Sequence, residues 1–152
     1  MKKLRIYLDT SIFGGYFDKE FSGPSKMLFE QIQLGKFDLV ASDVVRDEVV
    51  LAPPKVQGLF EDFLPLAEIV STTPEAITLQ NAYLKAHVVT TSHMTDALHV
   101  ALATVHHCSA IVSWNFKHIV HFQKVPLYNA INTVYGFSQI AINTPQEVIL
   151  YD

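Results

Sequence analysis

A chain of 152 residues that is 49% apolar and only 17% charged can bury a real core, which excludes a disordered segment. A net charge of −4 without any basic block excludes a broad electrostatic footprint for duplex DNA. It does not exclude an enzyme that meets RNA through a metal and a few scattered lysines. The single cysteine, Cys108, fits a reducing cytoplasm; no apolar run approaches the ~20 residues of a membrane span, and the interrupted N-terminal segment is not expected to be a signal peptide.

In chain order, Leu4 to Leu8 predicts a buried strand. Pro24 to Leu34 predicts a helix, with Ser22 or Ser25 as its cap and Gly35 as its stop. Phe37 to Ala41 is a second strand. Ser42 then caps a helix running to about Leu51, which Pro53-Pro54 ends. Lys55 to Phe63 is another helix, Ala67 to Ser71 a short strand candidate, and Pro74 opens a long helix through about Val89. Thr91-Ser92 offers caps for a helix from Met94 to His107, whose alanines allow close packing. A strand over Ser109 to Ser113, a helix near Val125 to Tyr135 and a strand near Ser138 to Asn143 complete the pattern. Strands alternating with helices imply an α/β fold, a mostly parallel sheet covered on both faces, with ligands beyond the carboxyl ends of the strands.

Carboxylates stand at the ends of these apolar segments: Asp9 after the first strand, Glu48 in the helix after the second, Asp96 in the first turn of the alanine-rich helix. Buried carboxylates are costly unless paired or bound to a cation, so three directed at one cleft point to a divalent metal. Leu8-Asp9-Thr10-Ser11, Glu48 within Val44 to Val49, Thr95-Asp96-Ala97-Leu98-His99-Val100-Ala101 and Ile111-Val112-Ser113-Trp114-Asn115-Phe116-Lys117-His118 resemble, in order, the four motifs of PIN-domain nucleases. The resemblance covers nearly the whole chain and implies one PIN-like domain over residues 1–152. At this length it is similar to the toxin ribonucleases of VapC-type toxin–antitoxin pairs.

The resemblance implies a metal-dependent endoribonuclease using Mg²⁺ or Mn²⁺, since hard ions prefer carboxylate oxygens and keep several waters. Asp9 and Asp96 would be direct metal ligands. Glu48 would bind through water or act as general base, with Asp47 as its rival. Thr10, Ser11 and Ser113 would hydrogen-bond a carboxylate, a water or the phosphate. Asn115 stands where the family's pattern has Asp. It could hold a water or a second, weaker metal but supplies no charge, and one unit pair at about 4 Å is worth about 4 kcal/mol at a dielectric of about 20. Three acids favour one well-held ion over two. The resemblance further implies an RNA substrate, an antitoxin partner, a homodimer and a cytoplasmic location. The apolar helices near Lys26 to Leu34 and Val56 to Leu64 would supply the partner surface, or core.

Other readings are weighed against this one. Asn115 could mark a non-catalytic binding module. A haloacid-dehalogenase-type phosphatase would need a second Asp where Ser11 stands, and a dinucleotide-binding enzyme would need a Gly-x-Gly-x-x-Gly turn. Seven histidines invite a zinc reading, yet neither His118 and His121 nor His106 and His107 sits in a zinc framework. His99 is expected in the core, though it could approach the cleft. Trp114 and Phe116, beside Lys117 at the fourth motif, could stack on RNA or close the core. Phe13-Gly14-Gly15-Tyr16-Phe17 could turn tightly or let the backbone approach a ligand with exposed aromatics.

Overall fold

The run Leu4-Arg5-Ile6-Tyr7-Leu8 forms strand β1 (Leu4–Leu8), and its last three side chains are fully buried, as a central parallel strand requires. The computed structural model describes residues 2–151. Four further strands pair in parallel: β2 (Phe37–Ser42), β3 (Ala67–Val70), β4 (Ala110–Val112) and β5 (Ala141–Asn143). The sheet order is β3-β2-β1-β4-β5. Leu8 lies opposite Val112 and Tyr7 opposite Val40, so β1 is central. The chain builds outward from β1 to β3 on one side, then crosses back to place β4 on the other. The reversal between β1 and β4 is the topological switch point, where such sheets bind ligands beyond their carboxyl ends.

Helices cover both faces: α1 (Thr10–Gly15), α2 (Ser22–Gln33), α3 (Asp43–Val50), α4 (Pro54–Phe63), α5 (Pro74–Lys85), α6 (Met94–Val105), α7 (Lys124–Val134) and α8 (Pro145–Val148). The alanines of α6 do pack closely: Ala97, Ala101 and Ala103 are fully buried, and α6 lies against α5. Buried Tyr83 donates to Asn132, whose amide donates to Thr104, linking α5, α7 and α6. No helix among the described residues is long and apolar enough to cross a membrane.

Several local expectations are corrected. Neither Ser22 nor Ser25 caps α2: its cap is Phe21, without a side-chain bond, and Ser25 lies buried inside the helix. Gly35 does stop it, at φ +77°. Ser42 caps α3 by accepting the Val45 N–H at 3.2 Å. Helix α5 ends at Lys85, short of Val89, because the chain turns through His87 at φ +59°. A short 3₁₀ turn, Thr91–His93, occupies the expected cap of α6, and His93 becomes its cap residue. Strand β5 begins at Ala141 and not at Ser138. Of the two proposed partner helices, the apolar faces are mainly core: Leu28, Phe29 and Ile32 in α2, and Val56, Leu59, Phe60 and Phe63 in α4.

Helix α1 stands where Gly14-Gly15 predicts a turn or a ligand approach. The close approach is real, but Trp114 makes it. A Cβ on Gly15 would sit 2.6 Å from Trp114 Cδ1 and 3.1 Å from Ser25 Oγ, whereas one on Gly14 meets nothing within 4 Å. The Trp114 ring cannot easily yield, since it stacks on Phe21 at 4.3 Å and donates Nε1–H to Ser25 at 2.9 Å. Two neighbouring substitutions should therefore act with opposite sign. Gly14→Ala is expected to stabilise by roughly 0.5–1 kcal/mol through the unfolded chain. Gly15→Ala is expected to destabilise by roughly 1–3 kcal/mol through overpacking. Urea unfolding of both variants checks this, and equal shifts would refute the Trp114 account.

Candidate active site

The end of β1 delivers Asp9 to the switch point, and its N–H donates to Val112 O of β4 at 3.3 Å. The carboxylate is only 4% exposed. Ser11 Oγ donates to Oδ1 at 2.6 Å and Ser113 Oγ to Oδ2 at 2.7 Å. Both hydroxyls are themselves held: Ser11 accepts the Trp114 N–H and Ser113 the Asn115 N–H, each at 2.9 Å. Burial pushes the Asp9 carboxyl above its ordinary range, against the opposing pull of His99, Ser11 and Ser113. No lysine, arginine or histidine among the described residues lies within ion-pair distance of it. A buried carboxylate with fixed orientation, spare lone pairs and no cationic partner fits a hard divalent ion.

Glu48 projects from α3, while its rival Asp47 is exposed, with 78% of its side chain in solvent. Glu48 Oε1 accepts from Thr10 Oγ1 and is joined to His99 Nε2, both at 2.7 Å. His99 is 2% exposed, and its Nδ1 meets the Tyr7 hydroxyl at 2.7 Å, which in turn meets Ser42 Oγ at 2.7 Å. Ser42 already accepts the Val45 N–H, so one assignment satisfies every group with a neutral imidazole: Ser42 donates to Tyr7, Tyr7 to His99, and His99 to Glu48. Burial works against the Glu48 charge, but the His99 and Thr10 contacts outweigh it and hold its carboxyl below the usual value. His99 is thus both a core residue and the support of Glu48. That role, and the part of Tyr7, are not visible in sequence spacing.

Asp96 lies in the first turn of α6, half-buried, with its carboxyl raised by burial against the pull of His118, His99 and His93. The same group feels the charge of Glu48, so the acids share one field. Yet the one set of three ligand-type side chains, among the described residues, whose donor atoms all lie within 4.8 Å is His93, Asp96 and His118. Asp9 and Glu48 are outside that set. Asn115 Oδ1 accepts the N–H groups of Lys117 at 3.2 Å and His118 at 2.9 Å, so the oxygen expected to hold water or metal is engaged in shaping a turn. Trp114 is 7% exposed and closes the core. Phe116 and Lys117 are exposed. Phe13 is buried and Tyr16 and Phe17 are half-buried, so the aromatics around Gly14-Gly15 are not the exposed set expected for RNA contact.

An all-parallel β3-β2-β1-β4-β5 sheet, flanked by helices and carrying a buried acid at its switch point, defines the class as a PIN-like α/β fold. No protein-family model matches the chain, and no curated protein does. Among solved structures it is similar to VapBC2 from Rickettsia felis, bound to a DNA fragment from its promoter, with a TM-score of 0.61 and 15% identity over 93% of this chain and 98% of that one. It is similar to FitAcB from Neisseria gonorrhoeae at a TM-score of 0.61 and 16% identity, covering 94% and 99% of the two chains. FitAB bound to an IR36 DNA fragment gives 0.60 and 16%, covering 97% and 99%. At these identities the likeness is one of fold.

Proposed function

We propose that this chain, acting as one PIN-like unit, is a metal-dependent endoribonuclease and the toxin of a toxin–antitoxin pair. The observation that carries the reading is Asp9: a buried carboxylate, oriented by two serines and with no cationic side chain among the described residues within ion-pair distance, at the switch point of a sheet in a fold similar to VapBC2 and FitAB. Asp9 and Asp96 would hold Mg²⁺ or Mn²⁺. When bound, such an ion lowers the pKa of a water, orients the phosphate and stabilises developing charge. Ser11 and Ser113 fix the Asp9 carboxylate. Thr10 and His99 fix Glu48, which at neutral pH is ionised and suited to orient or deprotonate the attacking water. Two of the acids are thus braced, Asp9 at the end of β1 by serines and Glu48 on α3 by Thr10 and His99.

The partner would be a separate antitoxin, by analogy with the VapBC2 and FitAB assemblies, in a cytoplasmic homodimer. The exposed apolar corner between α3 and α4, with Leu51 89% exposed and Val50 66% exposed, offers contact area for it. A second reading, a catalytically inactive PIN-like binding module, is favoured by the engagement of Asn115 Oδ1 and by acids that do not converge within one-ion distance.

Purified protein, free of antitoxin, should cleave a structured RNA in Mg²⁺ or Mn²⁺ and not in chelator. Asp96→Asn should abolish the cleavage. A folded wild type that neither cleaves nor binds either ion would refute the nuclease reading in favour of the binding module.

A further inference from the structure

We propose that His93, Asp96 and His118 form a binding site for one divalent transition-metal ion of the zinc type, sharing Asp96 with the acidic cleft. Three residues from two distant segments meet here. His93 ends the 3₁₀ turn before α6, and Asp96 lies three residues on, one helical turn along the same face. His118 arrives from beyond β4 on the turn that Asn115 Oδ1 holds through the Lys117 and His118 N–H groups. The imidazole rings of His93 and His118 lie face to face, with centroids 3.5 Å apart and planes at 19°, and all three ligand atoms fall within 4.8 Å of one another.

Three features distinguish this group from a surface ion pair. First, His93 Nδ1 and Asp96 Oδ2 are 3.7 Å apart. That is too long for a charge-assisted hydrogen bond of about 2.7–2.9 Å. It is close to the roughly 3.4 Å edge between two ligands each about 2.0–2.2 Å from a tetrahedral ion. Second, none of the three side chains makes a hydrogen bond to another described residue, so no protein group occupies their ligand atoms; since imidazole lone pairs lie in the ring planes, the two stacked rings must swing out of parallel for both to hold one ion. Third, the side chains of His93 and Asp96 are 41% and 23% exposed, which leaves the group open to an ion. The donor set decides the ion. Two imidazoles and one carboxylate suit zinc, cobalt, nickel or copper, whereas Mg²⁺ prefers oxygens alone. Three protein ligands leave a position for water or a phosphate oxygen. Sequence spacing pairs His118 with His121 and not with His93; only the fold brings His118 to His93 and Asp96.

The proposal does not rest on the nuclease reading, and the two fail separately. The whole chain, stripped with chelator, would be titrated with Zn²⁺ against a chromophoric competitor and with Co²⁺ alone. Wild type, His93→Ala and His118→Ala would be compared, with circular dichroism to verify folding. The expected result is one zinc per chain, about 10-fold or more weaker in each histidine variant. Co²⁺ should give the visible bands of low-symmetry nitrogen and oxygen ligation in wild type. Zinc binding that is unaffected in both histidine variants overturns the site. So does the absence of zinc binding and of a Co²⁺ spectrum in wild type, a result that does not depend on how any variant folds.

Discussion

Asp9→Asn is expected to lower metal-dependent RNA cleavage by about 10³-fold, the factor that roughly 4 kcal/mol of lost stabilisation gives, while leaving the fold intact. The substitution keeps shape and hydrogen-bonding capacity. Ser11 can still donate to the amide oxygen, and Ser113 can accept from the amide nitrogen where it formerly donated. What disappears is a buried negative charge and the hard oxygen pair that an ion would seek. Cleavage assays at saturating Mn²⁺ test this, and activity near that of wild type would remove Asp9 from the site.

The same variant should change how stability depends on pH in metal-free protein. Burial raises the Asp9 carboxyl in the folded state above its ordinary value of 3.8. A group raised on folding stabilises fully below its unfolded pKa, and that contribution is lost as pH rises through the folded pKa. Asp96, also raised by burial, contributes with the same sign. Glu48 is lowered, so its contribution is present above its ordinary value of 4.5 and is lost as pH falls through the folded value. In chelator, Asp9→Asn should therefore gain stability over wild type above pH 4 and lose that advantage in acid. A gap that stays constant between pH 3 and pH 7 would show that the Asp9 charge is not the buried burden inferred here.

The sheet was legible because its strands are continuous apolar runs closed by strong punctuation. Ile6, Tyr7 and Leu8 leave no polar face, and Gly35 and Pro53-Pro54 end the intervening helices. Helix α1 was not legible, because two adjacent glycines argue against a helix locally, and only the packing of Trp114 onto Gly15 explains why a side chain is excluded there. The end of α5 was missed for a related reason: His87 takes a left-handed conformation that spacing gives to Gly or Asn. For the site, Asp9, Glu48 and Asp96 stand out by their places at element ends. Their supports do not. Tyr7 reads as a strand residue, Ser42 as a helix cap, His99 as helix core and Asn115 as a ligand position. Tyr7, Ser42 and His99 acquire their function from partners tens of residues away, such as Glu48 for His99, whereas Asn115 is engaged locally by the His118 N–H. Pattern identifies the acids; only tertiary contact identifies what orients them.

His99→Leu isolates that orienting role, since it puts a side chain of similar bulk inside α6 while cutting the chain from Ser42 through Tyr7 to Glu48. The Tyr7 hydroxyl, fully buried, keeps Ser42 but loses its imidazole acceptor. An unmet buried group of this kind costs roughly 1–3 kcal/mol, so the variant should unfold at lower urea concentration. Glu48 keeps Thr10 but loses the contact that most lowers its carboxyl, so its acid sensitivity should shrink. With Glu48 free to rotate, cleavage should fall by about 10–100-fold, the usual effect of removing a support behind a metal-site acid. The decisive comparison is with Tyr7→Phe, which removes the hydroxyl yet leaves His99 against Glu48. If His99 acts by orienting Glu48, Tyr7→Phe should lose stability with little loss of cleavage, whereas His99→Leu should lose both. Equal loss of cleavage in the two variants would mean that the whole buried chain, and not the His99–Glu48 contact, sets the activity.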